Sequence, residues 1–259
     1  MLRAQNEASL TPFHGKLLHG ALFSAIKAIN TDAARLIHEQ TKSKIFSSGL
    51  LEIDAQPRVE EIIISPGKVY RWRVAALNEA MLNLLLSIQV GTRLRVGRAI
   101  MTVEEIVVDG RWSTGVAEDN VIIAEGLAIK NAHAITFDFL TPTTFHRGDM
   151  DYPLPLPELI FGSLARKWCD NCMPLDMNSE VVREKSWYIK PFSWHGRSIL
   201  GYIAKGQGVT GFVGSFTYSL EGVEHDWRQV FLILAQYAEF AGVGRITAQG
   251  FGRVKTSWN

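Results

Sequence analysis

Two stretches of this chain repeat one order of elements, and that order restricts the fold more than any other feature. In the first, a strand-like segment from Leu2 to Leu10 leads through a loop, Thr11 to Gly15, into apolar residues at helical spacing: Leu18, Leu22, Ala25, Ile26 and Ile29. Asn30, Thr31 and Asp32 interrupt the pattern. Thr31 or Asp32 suits the cap of a second short helix, with Ala33, Leu36 and Ile37 on one face and an end near Gln40. Strand-like segments follow at Phe46 to Ile53, Ile62 to Ser65 and Val69 to Val74. Asn78 then caps a helix whose Ala80, Met81, Leu84, Leu85 and Ile88 face inward, and strands resume at Leu94 to Val96 and Ala99 to Val108.

The second stretch begins near His133. Ile135, Phe137 and Phe139 alternate with Thr136 and Asp138, the period of a half-buried strand. A loop with Pro153, Pro155 and Pro157 follows, and Pro157 fits the first turn of a helix carrying Leu159, Ile160, Leu164 and Trp168. Strands are expected at Val181 to Phe192 and Ile199 to Leu220, the latter broken by Gly206, Gly208, Gly211 and Gly214 into bulges or a long hairpin. A last helix runs from Asp226 to Phe240 with Trp227, Val230, Phe231, Leu234 and Tyr237 on one face, and a short strand, Arg253 to Trp258, ends the chain. Strand, helix, strands, helix, strands is the order of a ferredoxin-like (RRM-like) α+β unit with an antiparallel sheet. Two such units in tandem are expected, residues 1–128 and 133–259, joined near 125 to 133. Their sequences show no matching repeat, so the duplication is architectural.

The 259 residues suit two domains, and a 47 % hydrophobic content is enough for two cores. The net charge of +1 is low for a nucleic-acid binder, so cations serving that purpose must be gathered on one face. No run of 18 apolar residues occurs, so no membrane span is expected. The start lacks the basic and apolar segments of a secretory signal. Cys169 and Cys172 are the only cysteines, too few for a disulfide framework. A cytoplasmic protein is the expectation.

Gly242-Val-Gly-Arg-Ile-Thr-Ala-Gln-Gly-Phe-Gly252 sets four glycines between a helix and a strand. Such a run allows positive φ and close backbone approach, and successive N–H groups in it can cradle an anion. Arg245 and Arg253 flank it and Gln249 adds a donor and an acceptor. A Rossmann fingerprint needs strand before glycines before helix, and a Walker loop needs Gly-Lys-Ser or Gly-Lys-Thr; neither is present. On spacing alone the segment reads equally as a turn and helix C-cap.

The segment closely resembles the glycine-rich loop of the repeat-associated RAMP superfamily. Within it the chain resembles the sixth Cas family, endoribonucleases that process precursor CRISPR RNA. Leu17-Leu-His-Gly-Ala-Leu-Phe-Ser-Ala-Ile26 resembles that family's first helix. Ala34-Arg-Leu-Ile-His-Glu39 with Lys44-Ile-Phe-Ser-Ser48 resembles its helix end and second strand. Phe139-Leu-Thr-Pro-Thr-Thr-Phe145, Pro155-Leu-Pro and Phe161-Gly-Ser-Leu resemble the start of its second domain.

The resemblance implies a catalytic histidine at His38, a supporting lysine at Lys44 and, as in some members, a second histidine at His19. Others carry a tyrosine where this chain has Phe23, which moves no proton and so favours His19 as the partner. The residue types suit the chemistry. RNA supplies its own nucleophile, the 2′-OH; histidine titrates near neutrality and serves as base or acid; lysine stabilises charge on the phosphate. Which histidine is base and which acid stays open. Loop residues Gly242, Gly244, Arg245, Gln249, Gly250, Phe251, Gly252 and Arg253 are the expected RNA contacts. Arg166 joins them, on a helix that the family directs at RNA together with Lys167. His14, in the loop before the first helix, is within reach of the site.

Two other features invite a function. Trp168-Cys-Asp-Asn-Cys172 has the spacing of a thioredoxin motif, but at a helix end, where the thiol is not activated; a zinc site lacks two further cysteines. Tyr70-Arg-Trp-Arg73 and the stretch Arg183 to Lys190, with Trp187 and Tyr188, interleave cations and rings. They suit either a base-stacking face or a solvated strand over a core. Arg93, Arg95 and Arg98 form a further basic patch.

The reading is therefore a metal-independent, cofactor-free endoribonuclease cutting CRISPR repeat RNA to a 2′,3′-cyclic phosphate and a 5′-OH. Other Cas effector subunits or a second copy are further partners the resemblance allows. The rival readings are a non-catalytic RNA-binding RAMP subunit and a redox or metal protein built on Cys169 and Cys172.

Overall fold

The computed structural model of the chain describes residues 1–39, 44–53, 61–112, 114–172, 175, 177–204 and 207–259. Two compact units are present. The first is Met1–Gly115 with Ile203–Lys205 and Ala248–Gly250; the second is Val116–Tyr202, Gly206–Thr247 and Phe251–Asn259.

In the first unit the expected opening strand is two: β1 (Leu2–Ala4) and β2 (Ala8–Leu10). Asn6 divides them, its amide donating to the carbonyls of Glu7 and Arg98 and its oxygen accepting from Ile100 N. Then come α1 (Gly15–Ile29), α2 (Thr31–Glu39), β3 (Phe46–Glu52), β4 (Ile62–Ile64), β5 (Val69–Ala76), α3 (Glu79–Leu86), β6 (Arg93–Val96) and β7 (Ala99–Val103). Asn30, rather than Thr31 or Asp32, starts α2: its side chain accepts from Ala33 N at 2.9 Å. Asn78 does the same for α3 through Met81 N. The sheet runs β3-β5-β1-β7-β6 with antiparallel neighbours, and β2 pairs separately with β4. Leu2, central in it, sits opposite Tyr70 on one side and Val103 on the other. Leu18 and Ala21 of α1 are buried in a core with Tyr70, Leu94 and Met101, the helical period turning its apolar stripe onto the sheet.

His14 ties the loop before α1 to β3. Leu51 N–H donates to its Nε2 at 2.9 Å, so the proton sits on Nδ1, which donates to Thr11 O at 3.1 Å. The ring is buried, and burial holds its pKa below the ordinary histidine value.

The second unit holds α4 (Asp119–Ala128), β8 (Ala134–Thr143), β9 (Phe145–Arg147), β10 (Met150–Tyr152), α5 (Pro157–Asn171), α6 (Ser179–Lys185), β11 (Lys190–Ala204), β12 (Gln207–Ser219), α7 (His225–Ala241) and β13 (Val254–Trp258). Its sheet runs β11-β12-β8-β13, with β12 and β13 antiparallel to β8. Counted along the chain that is second, third, first, fourth, the ferredoxin-like order; the first unit has the same order with β6 added at the edge.

Further features depart from the sequence pattern. Val181 to Tyr188 is not a strand but α6 and a 3₁₀ turn, Ser186–Tyr188, because Asn178 caps it through Glu180 N and Val181 N and Val182 packs inward. Helix α4 was not foreseen, and residues 116–132 fold with the second unit, whereas the expected first domain ran to 128. Gly126 lets α4 approach α7: a Cβ there would lie 2.4 Å from Ile233 Cγ1. The glycine-broken segment is the expected long hairpin, with a register shift between Phe212 and Gly214; Gly206 itself lies outside the described residues.

Two outcomes follow from this packing. Gly126→Val should destabilise the protein by about 1–3 kcal/mol, the usual cost of overpacking, seen as a lower urea midpoint. His14 is neutral when folded and titrates at its ordinary value when unfolded. The unfolded chain therefore takes up a proton first, and stability falls as pH drops below about 6.5. His14→Leu should flatten that slope in urea titrations between about pH 7.5 and 5, and an unchanged slope would assign it to another group.

Candidate active site

Within the first unit α1, α2 and the start of β3 close over one apolar cluster: Leu22, Ile26, Ala34, Ile37, Ile45 and Phe46, with Met81 from α3. Two of the expected catalytic residues, His19 and Lys44, border it. His19, half-buried on α1, packs its ring 4.6 Å from Phe23 and stacks on Phe46 at 5.8 Å. Lys44, half-buried, immediately precedes Ile45. His38 follows Ile37 near the end of α2; its side chain lies outside the described residues. His14 is buried, with both ring nitrogens engaged as described above. Phe23 belongs to the cluster's partly buried rim, so the ring without a proton serves packing.

The glycine-rich segment reaches the same cluster. Ala248 is buried in it, and Ala248–Gly250 group with the first unit. Gly15, one helical turn before His19, is required here: a Cβ would lie 1.8 Å from Gln249 O. Gln249 is half-buried and Gly250 buried.

Residues 242–247 and 251–252 belong to the second unit, and the segment's glycines differ from the expectation. Gly242, Gly244, Gly250 and Gly252 are all buried, and each has positive φ. The close approach they permit is to the protein: a Cβ on Gly244 would lie 2.3 Å from Thr144 O, and one on Gly252 2.0 Å from Val243 O. Backbone bonds fix the path, Val243 N to Gly252 O at 2.8 Å, Arg245 N to Thr144 O at 2.9 Å and Gly252 N to Pro142 O at 2.9 Å. Phe251 is buried, so its ring faces the interior rather than a ligand. Arg245 pairs with Asp151, and Arg253 is half-buried. Loop side chains thus reach solvent at Arg245, Ile246, Gln249 and Arg253.

On α5 the two adjacent cations part. Arg166 points outward, 3.9 Å from Glu180. Lys167 is buried, contrary to the expectation that both face RNA, and donates to the carbonyls of Ala241 and Gly242. Cys169 Sγ donates to Met177 O at 2.8 Å, and burial pushes the Cys172 thiol up to about 12, the reverse of an activated redox cysteine. Among the described residues no three His, Cys, Asp or Glu gather as a metal site, and no helix is long and apolar enough to cross a membrane.

The two interleaved stretches divide. Trp72 is half-buried, its Nε1 donating to Ser48 Oγ and Gly49 O, while Arg71 turns outward to Glu52. Trp187 and Tyr188, by contrast, are exposed, and they are joined on β11 by Phe192 and Trp194, 74 % and 62 % exposed, which the sequence reading did not single out. The signal was available: β11 and β12 hold Lys190, His195 and Arg197 and no acidic residue.

Residues 137–254 match the family described as CRISPR-associated endoribonuclease Cas6. Among curated proteins none matches the sequence. Among solved structures the fold is similar to that of a Cas6 product complex, 23 % identical, TM-score 0.75, over 99 % of this chain and 97 % of that one. It is similar also to Thermus thermophilus Cas6, at 22 % identity and TM-score 0.70 over 99 % and 95 %. A Cas6-related protein of Pyrococcus furiosus shares it at 14 % and 0.61 over 99 % and 96 %. Residues 137–254 are thus similar to the CRISPR-associated endoribonuclease Cas6 family, and over nearly its whole length the chain has the fold of solved Cas6 structures.

Proposed function

We propose that this chain is a crRNA-processing endoribonuclease that cuts repeat RNA with the RNA's own 2′-hydroxyl. The observation that carries the reading is the single apolar cluster bordered by His19, Lys44 and the turn that bears His38. Three chain segments meet at this cluster, one bearing His19, one leading in from Lys44 and one carrying His38 in its last turn, which suits a shared site for the three. The family match and solved structures of Cas6 with product and with a substrate mimic support RNA as the ligand.

Cleavage in this reading is an in-line displacement. One imidazole takes the 2′-OH proton, the oxygen attacks the adjacent phosphorus, and the other imidazole protonates the departing 5′ oxygen. The products are a 2′,3′-cyclic phosphate and a 5′-OH. Lys44 stabilises the charge that grows on the non-bridging oxygens. Gln249 and Arg245 of the loop and Arg166 of α5 contact the RNA. The exposed rings of Phe192 and Trp194, beside Lys190, His195 and Arg197, suit unpaired bases and phosphates.

His38→Ala should lower the single-turnover rate by about 10²-fold or more with little change in RNA affinity, Lys44→Ala less; full activity in the His38 variant removes the assignment. A repeat carrying one 2′-deoxy nucleotide 5′ of the scissile phosphate should bind and remain intact, and cleavage of the normal repeat should persist in EDTA. Cutting of the deoxy substrate at that bond would make water the nucleophile. Binding without cutting of any repeat would favour the RNA-binding subunit reading. Trp194→Ala should weaken repeat binding by about 1–3 kcal/mol in a filter-binding titration.

A further inference from the structure

Lys167 has no place in the chemistry above, yet among the described residues it is a buried lysine. Its Nζ donates to Gly242 O at 2.9 Å, Ala241 O at 3.3 Å and Thr247 Oγ1 at 3.4 Å. Ala241 and Gly242 end α7, where carbonyls lack helical partners and the helix carries partial negative charge. Thr247 opens the 3₁₀ turn Thr247–Gln249. One side chain thus spans the excursion from residue 242 to 246, in which Gly242, Gly244 and Ile246 have φ of 65°, 75° and 62°. Ile246 is β-branched, and a left-handed conformation there costs about 1–3 kcal/mol, which the surroundings must hold in place.

We infer that Lys167 is a positioning residue that clamps Gly242 to Thr247 across the first half of the glycine-rich loop and so sets the shape in which Arg245 is presented to RNA. The RNA half of this rests on the function proposed above; the clamp itself does not. An ammonium has three N–H donors for these three acceptors, and a neutral amine has two. Burial alone pulls Lys167 down to about 7. The clamp therefore holds fully below neutrality and loosens as pH rises. The charged neighbours are otherwise engaged: Arg166 faces Glu180, Arg245 pairs with Asp151, and Glu239 of α7 accepts from Thr256. Tyr237 donates its hydroxyl to Lys167 O, and burial holds that phenol protonated.

The test is amide hydrogen exchange of the full chain, corrected for intrinsic rates, in wild type, Lys167→Met and Thr247→Val. At pH 6, exchange in residues 242–250 should be at least tenfold faster in Lys167→Met, with β8 and β13 unchanged. Wild type should lose protection in the same segment between pH 6 and 8.5, and Lys167→Met should show no such change. Unaltered loop protection in Lys167→Met overturns the clamp. If that variant fails to fold, a flat wild-type pH series together with wild-type protection in Thr247→Val overturns it equally. Repeat-RNA affinity at pH 6 should fall at least tenfold in Lys167→Met and also in Arg245→Ala. If Arg245→Ala binds like wild type while the exchange result holds, the loop's role in RNA binding fails and the clamp stands. If Arg245→Ala weakens binding and Lys167→Met does not, Lys167 does not position the loop for RNA.

Discussion

The aromatic side of β8 must be kept from water, and the second unit is arranged around that requirement. Phe137 meets Phe161 of α5 and Tyr218 of β12 edge-on, at 5.9 and 6.0 Å, and Phe139 meets Phe212 of β12 at 5.6 Å. Rings of this size carry much of a core's burial energy and prefer these edge-to-face contacts. Covering them needs α5 and α7 side by side on one face of the sheet, with Phe161 against Phe231 at 4.7 Å. Once α7 is so placed, its C-terminal end and the start of β13 are fixed, and the chain between them must turn within a short space.

That turn explains the glycines. Four of them take positive φ in a buried path held by backbone bonds to Pro142 and Thr144 at the far end of β8. The composition that looked like a ligand cradle is first a solution to crowding between a helix end and a sheet edge. The segment remains available for function because its crowding is uneven. Arg245, Gln249 and Arg253 keep partial access to solvent while the glycines between them do not.

The near-zero net charge is also accounted for locally. Arg3 pairs with Glu104, Arg71 with Glu52, Arg111 with Asp109 and Lys185 with Glu224, so many surface cations are offset where they stand. Exposed pairs of this kind contribute little stability, about 0–1 kcal/mol each. The acid-free hairpin of β11 and β12 stands out against this background, since its cations have no carboxylate on the same strands.

Local periodicity in the sequence determined most of the elements: the alternation of β8, the stripes of α1, α5 and α7, the Asn78 cap and the long glycine-broken hairpin. His19, His38 and Lys44 were marked as a group by resemblance to a family, not by periodicity or spacing. Periodicity tells which face of an element is apolar, but not which element will cover it. Tertiary structure alone decided that Lys167 turns inward while Arg166 turns out, that Phe251 is core, and that His14 bonds Leu51 37 residues away. The same holds for α4, whose weakly patterned sequence did not show that Gly126 would lie against Ile233 of α7. Each of these depends on a partner distant in sequence, and a buried polar group takes its role from the partner that satisfies it.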